Sequence, residues 1–330
     1  MESDVQYRFA DRGKLSNRLA SARLQMWRRL NERFAETWKY RLSYLFMLPF
    51  FTAFTVFIVI PIAAAIALSF TNFNAVQFPE TVGWLNYENL FSQDTVFLQY
   101  VIPNSFKFSL FVGPLGFVFA FILAWFIAQL PKITRMWYTL AIYAPSLAVG
   151  VAITVVWQVA FTGDRSGYIN SFLLNWGFID RPILFLQDED LLLDIMIVAS
   201  IWGSMGIGFL SLLAGILNVD PQLYEAGKID GVSSRLQEIW YITLPSMKPQ
   251  LMFAGVMSIV YTLKSGGIGT LLVGNPTPNY AGQLFISHIE DFGFIRFEMG
   301  YACAITVVLL VVTLILNKLL RVLFVPKEGE

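Results

Sequence analysis

Glu225-Ala226-Gly227-Lys228-Ile229-Asp230-Gly231, followed further on by Ile242-Thr243-Leu244-Pro245, stands between two long apolar runs at 191–217 and 250–272. A polar and amphipathic stretch in that position lies in water between two membrane spans. Asp220-Pro221 opens it as a helix start. The carboxylate accepts from free amide groups, and proline at the first helical position gives up no hydrogen bond. This helix carries Leu223, Tyr224 and Ala226 and is expected to falter at Gly231, where glycine permits positive φ or a close backbone approach. Ser234-Arg235-Leu236-Gln237 has the spacing of a capping box and predicts a second helix through Trp240 to Leu244. Pro245 and Pro249 part that helix from the next span. The expected shape is helix, glycine break, helix, along the membrane surface. Ala226 and Gly227 keep one helical face small, so that a partner surface can come near, and Glu225 and Asp230 sit beside it for charged hydrogen bonds. A docking surface and an ordinary loop with two capped helices both satisfy these residues.

Outward from this loop, six apolar runs are long enough to cross a bilayer, at roughly 43–70, 104–130, 137–161, 191–217, 250–272 and 299–324. Charged residues make up 14% of the chain, against about 25% in soluble domains. The fold class is all-α integral membrane, a six-span helical bundle. Its domain plan is a cytoplasmic segment at 1–42, a membrane domain at 43–324 with the loop at 218–249, and a tail at 325–330. Pro49 and Pro61 fall in the first run, Pro114 in the second and Pro145 in the third, which predicts kinks that neighbouring groups re-satisfy.

The formal net charge is zero, so bulk charge says nothing about nucleic acid; the distribution of Lys and Arg is what informs. Eighteen of them fall in 1–42, 131–136, 218–249 and the C-terminal tail, and three in the segments between. This bias places both termini and the 218–249 loop in the cytoplasm. Leu15, Leu19, Met26, Leu30 and Phe34 recur among arginines before the first span, the pattern of a basic amphipathic helix in the membrane interface; a charged topogenic tail fits equally. No cleavable signal peptide is expected from the polar first forty residues. The 71–103 segment, with Gly83-Trp84-Leu85-Asn86-Tyr87, is too apolar for a free linker and is expected to pack on the outer membrane surface.

Little in the chain can do chemistry. One cysteine, Cys303, and one histidine, His288, exclude an intrachain disulfide and a Cys/His metal cluster. Cys303 reads as packing and His288 as a surface residue. No Gly-x-x-x-x-Gly-Lys-Ser/Thr phosphate cradle is present; Gly266-Gly267-Ile268-Gly269 lacks the following Lys-Ser/Thr. The chain is read as no enzyme. Polar residues inside spans tend to face a cavity or the bundle interior. Ser258, Tyr261 and Lys264 stack along one face of the fifth span, and Ser200 and Ser204 flank Trp202 and Gly203 in the fourth. Hydroxyls, an amine and aromatic faces suit a polyol; serines bonded to their own helix and a snorkelling Lys264 are the bland alternative. Lys107 reads as an anchor near a span end.

Glu225-Ala226-Gly227, Gly231 and Ile242-Thr243-Leu244-Pro245 resemble the EAA loop of ABC importer permeases. More narrowly, residues 43–324 are similar to the sugar-permease family that includes the maltose and glycerol-3-phosphate permeases. Gly83-Trp84-Leu85-Asn86-Tyr87, Gly167-Tyr168-Ile169-Asn170 and Gly300-Tyr301-Ala302-Cys303-Ala304 resemble further motifs of that family. Gly227 departs from the usual alanine, and the gap from Gly231 to Leu244-Pro245 is one residue longer than the family pattern, which leaves the second helix's register open.

The resemblance implies a type I permease fold and a cell-membrane location in a bacterium or archaeon. It implies a second permease subunit, usually as a heterodimer, a cytoplasmic ABC ATPase dimer and an extracytoplasmic solute-binding protein. Glu225, Ala226, Gly227, Asp230, Gly231, Leu244 and Pro245 would couple the chain to the ATPase, which would bind ATP and Mg while this chain binds no cofactor. The solute would be a carbohydrate, an oligosaccharide or sugar derivative, passing Ser200, Gly203, Ser204, Ser258, Tyr261 and Lys264. A phosphorylated polyol such as glycerol 3-phosphate is the alternative, because Lys264 can meet a phosphate. An ion-driven carrier would favour a buried central acid and an inverted repeat, and the spans as drawn show neither.

Overall fold

The computed structural model describes residues 41–148 and 150–324, without the side chains of Arg41, Tyr44, Lys264 and residues 320–324. Up to residue 40, the basic amphipathic segment expected at 1–42 lies outside the described residues, as does the tail at 325–330. Among the described residues the chain is helical, with one isolated bridge between Thr71 and Thr81.

In chain order the helices are α1 (Leu45–Leu68), α2 (Leu85–Ser92), α3 (Phe97–Ala128), α4 (Lys132–Leu147), α5 (Gly150–Ala160), α6 (Tyr168–Asn175), α7 (Glu189–Gly203), α8 (Ile207–Leu217) and α9 (Pro221–Ile229). They continue as α10 (235–246), α11 (Lys248–Val273), α12 (Phe285–Glu290) and α13 (Met299–Phe324). α1, α3, α11 and α13 are each long and apolar enough to cross a membrane. Two bent pairs, α4 with α5 at 99° and α7 with α8 at 49°, bring the number to six when each pair is one span. The second span begins at Phe97, seven residues ahead of the start expected at 104, because Asp94 caps it by accepting the Phe97 N–H at 2.8 Å.

Pro61, Pro103 and Pro114 are accommodated by widened π-helical turns, whereas Pro49 lies within a regular α-helical stretch. Such turns run over Thr55–Val59 ahead of Pro61, over Phe97–Val101 ahead of Pro103, and over Phe111–Leu115 around Pro114. A proline ring has no N–H and crowds the carbonyl four residues back, and a single i→i+5 turn re-pairs the displaced groups. At Pro145 the outcome differs: α4 ends at Leu147 and Ala148 turns extended, which makes the 99° bend.

Residues 41–64 belong to one compact unit, and none of them whose side chain is described is buried. The rest of the chain forms a second unit with three cores. α3, α8 and α11 pack around Ala120, Ala124, Phe209, Leu212, Met247 and Ala254. Small residues at the contact let these helices come close, which is how membrane helices gain packing where lipid is as apolar as leucine. α3 and α7 bury Phe108, Val112, Leu192 and Met196 against Leu272 and Leu284. α2, α3 and α13 meet at Leu90, Phe97, Val101, Tyr301 and Ile305. The apolar 71–103 segment thus packs on the chain's own last helix through α2.

At that third core the connecting segments knit into a collar. Asn86 is buried and donates to the carbonyls of Ser69 at 2.8 Å and Thr71 at 2.9 Å. The Gly300 N–H donates to Phe73 O at 2.8 Å, and a Cβ on Gly300 would stand 2.1 Å from Thr71 O, so only glycine lets α13 start there. Asn170, likewise buried, donates to the carbonyls of Thr162 and Ile183 and accepts the Ile183 N–H. Each of the three outlying motifs therefore supplies a backbone-satisfying side chain or a close approach.

Candidate coupling site

α9 starts where Asp220 accepts the Gln222 N–H at 2.9 Å, with Pro221 in the first turn. It stops at Asp230, and Gly231 follows at φ +93°, a left-handed conformation that side chains disfavour. The capping box forms as its spacing predicts: Ser234 accepts the Gln237 N–H at 3.2 Å, and Gln237 accepts the Ser234 N–H at 3.2 Å. Arg235 adds an exposed ion pair to Glu238 at 2.8 Å. The result is a bent lever of two short helices joined at a glycine.

The second helix is not regular. It widens into a π-helical turn over Ile239–Thr243, with the Leu244 N–H donating to Ile239 O. Pro245 follows two residues after this turn, as Pro61 and Pro103 follow theirs. A π-helical turn takes up one more residue than an α-helical one, so this turn has room for the one-residue surplus that the resemblance implies between Gly231 and Leu244-Pro245. Leu244 is half-buried and Pro245 exposed where the lever passes into α11.

One expectation is corrected. Gly227 does not offer its bare face to a partner. It is buried beneath Ile242: a Cβ on Gly227 would lie 2.6 Å from Ile242 Cδ1. Glycine is used here so that the two helices of the lever can touch. The face left for a partner consists of Glu225, Ala226 and Asp230, all exposed, with Ile229 at 87% exposure. Leu236, Trp240 and Tyr241 are exposed on the second helix. Among the described residues neither Glu225 nor Asp230 has a side-chain partner. Carboxylates without partners beside uncovered apolar side chains make a surface suited to another protein.

The residues expected along the solute path gather where α3, α7 and α11 meet. The Tyr261 hydroxyl fills the space above Gly203, 2.3 Å from where a Cβ would be. Ser258 donates to Gly113 O at 2.9 Å, across from α11 to α3. Ser204 donates to Ile201 O of its own helix at 2.7 Å. Ser200 is fully buried and its hydroxyl has no partner among the described residues. The side chain of Lys264 lies outside the described residues. A separate cavity of about 440 Å³ is lined by Phe119, Val156, Trp157, Ala160, Val198, Ile201 and Trp202, an apolar set poorly matched to sugar hydroxyls.

Two further readings change. His288 is 1% exposed rather than at the surface, and its Nε2–H donates to Asp94 at 2.8 Å. Tyr301 donates to the same carboxylate at 2.9 Å. Burial alone would push the Asp94 carboxyl up, but the bonds from His288, the Phe97 N–H and Tyr301 hold it below the usual aspartate range. Lys107 is no lone anchor: it pairs at 2.7 Å with Asp194, an acid inside the fourth span near its start. Both partners are about half exposed. The sequence signal for that pair was an unmatched Lys and Asp in neighbouring spans.

A helical bundle with a bent lever between its fourth and fifth spans defines a membrane transport component. Residues 113–325 match the family of binding-protein-dependent transport system inner membrane components. The chain is 33% identical over 282 residues to the probable ABC transporter permease protein YesP of Bacillus subtilis, covering 84% of this chain and 89% of YesP. It is 27% identical to the arabinooligosaccharides transport system permease protein AraP of the same organism, over 87% of this chain and 90% of AraP. A crystal structure of a bacterial ABC transporter that imports the acidic polysaccharide alginate matches with a TM-score of 0.70 at 26% identity, over 86% of this chain and 96% of that one.

The chain belongs to this family of ABC importer permeases. It is a transport subunit of the membrane rather than an enzyme.

Proposed function

We propose that this permease carries an oligosaccharide across the cytoplasmic membrane, with both termini and the 218–249 lever on the cytoplasmic side. The lever docks on a separate ABC ATPase, which binds ATP and Mg. A second permease subunit completes the path, and an extracytoplasmic binding protein delivers the solute. The carrying observation is the lever's surface, where Glu225, Asp230 and Ile229 are left uncovered while Gly227 is turned inward. The excess of Lys and Arg in alternate segments supports the orientation. Closure of the ATPase would draw the levers together and bias the bundle between two states, the ordinary logic of differential binding.

The carbohydrate assignment is supported by relatives such as AraP and by Ser200, Gly203, Ser204, Ser258 and Tyr261 at one helix junction. In the present arrangement Ser204 and Ser258 hold backbone carbonyls, so the solute reaches them as the helices part against the second permease. A phosphorylated polyol is the second reading and rests on Lys264, whose side chain lies outside the described residues.

Affinity purification of this chain is expected to bring down an ATPase subunit. Gly231→Asp, which places a charged side chain at φ +93°, is expected to abolish uptake while the chain still inserts. Uptake that persists without the ATPase and collapses with the ion gradient would overturn the reading.

A further inference from the structure

A lever hinged at glycine transmits nothing if the hinge absorbs the load. At Gly231 nothing lies within 4 Å of where a Cβ would be, so the hinge itself is open. What bridges its two sides is set back from it. The Val232 N–H donates to Gly227 O at 2.9 Å, Ile242 seats on Gly227, and the Tyr224 hydroxyl meets Thr243 Oγ1 at 2.9 Å.

The proton order in that last contact follows from its surroundings. Thr243 is 1% exposed, and its hydroxyl donates at 3.2 Å to Glu238 O, the carbonyl at the mouth of the π-helical turn. With its one proton so used, Thr243 accepts from Tyr224. The chain of bonds is therefore Tyr224 to Thr243 to Glu238, from α9 into the wide turn. Beyond it, Thr243 O accepts the Met247 N–H at 3.2 Å, and Met247 is buried in the core shared by α8 and α11.

We propose that Tyr224 and Thr243 form a latch, positioning residues that make α9, the wide turn and the start of α11 move as one body. This rests on the reading of the lever as the ATPase-docking element. The π-helical turn brings Ile242 onto Gly227 and Thr243 under Tyr224 in the same step. Motion of α9 then passes through buried contacts into the membrane core instead of bending at Gly231. A continuous set of packed and hydrogen-bonded groups is one physical route for such transmission.

The test uses the complete transporter in nanodiscs, with spin labels at Lys228→Cys and Lys248→Cys in a Cys303→Ser background. Distances are measured without nucleotide and after trapping with ATP and vanadate. The latch predicts one narrow α9–α11 distance that is the same in both states. Thr243→Val, which keeps the shape and removes the hydroxyl, and Tyr224→Phe each lose that single population and gain a second distance. The double variant is no broader than either single one, because both remove the same bond. Thr243→Ser restores the narrow distance. Distributions for Thr243→Val and Tyr224→Phe that superimpose on the unaltered chain would overturn the latch, as would Thr243→Ser as broad as Thr243→Val. ATPase co-purification is scored on the same samples. Its failure in the unaltered chain sinks the docking reading, while the distances without nucleotide still decide the latch.

Discussion

The collar around Asn86, Asp94 and Gly300 and the lever around Gly227 and Gly231 are both built on glycines and capped helices, yet they leave their polar groups in opposite conditions. In the collar Asn86 holds two carbonyls, Asp94 takes three donors, and Gly300 lies against Thr71 with no room for a methyl group. On the lever Glu225 and Asp230 face water, and Ile229 and Trp240 are uncovered. Groups paired within the chain hold a fold together; carboxylates left open on a well-capped element are available to another molecule. Both regions carry family-like motifs, so a motif by itself does not say which of the two tasks it serves. The hydrogen-bond inventory does.

The contrast breaks first at Gly300. Gly300→Ala forces a Cβ to 2.1 Å from a backbone oxygen, and the expected loss is roughly 3 kcal/mol, the upper end for overpacking. It is read as loss of folded protein on detergent gel filtration. Asn86→Ala leaves two carbonyls without their donor and is expected to lower stability by about 2 kcal/mol, from roughly 1 kcal/mol for each buried bond. A thermal melt of the purified chain measures it. If this variant melts like the unaltered protein, the collar is not what fixes the loops.

Acid sharpens the comparison further. The Asp94 carboxyl is depressed in the folded chain, so its contribution is present above the unfolded aspartate value of 3.8. It is lost as pH falls through the lower folded value. Melting temperature is expected to drop on acidification below about pH 4, and Asp94→Asn is expected to flatten that part of the profile. The smallest change in stability belongs to the lever. Glu225→Ala and Asp230→Ala are expected to stay within about 0.5 kcal/mol of the parent while reducing recovery of the ATPase in pull-downs. A lever variant that unfolds the chain, or a collar variant that spares folding and loses the ATPase, would erase the distinction.

The lever was largely legible because each of its parts is local. Asp220-Pro221 and Ser234 to Gln237 specify helix starts within four residues, and Gly231 needs no distant partner to adopt positive φ. The apolar runs were legible for a similar reason, since hydrocarbon demands length and apolarity from each by itself; four stand as single long helices and two as bent pairs. The inward turn of Gly227 was not legible, because it depends on a π-helical turn fifteen residues on. His288 was misread because burial of a lone histidine depends on an acid 194 positions earlier in the chain. Lys107 and Asp194, 87 positions apart, could be matched only once two spans were side by side.

The helix from Phe97 to Ala128 has 32 residues, about 48 Å of rod, where hydrocarbon takes about 30 Å. Tilting alone does not hide that excess, since spans lean about 20° on average and rarely beyond about 40°. Part of this rod therefore lies outside the hydrocarbon, and its first turns, with Phe97 and Val101, are clasped by the collar's core. A load taken up by the collar is handed to a single helix that runs on into the bilayer.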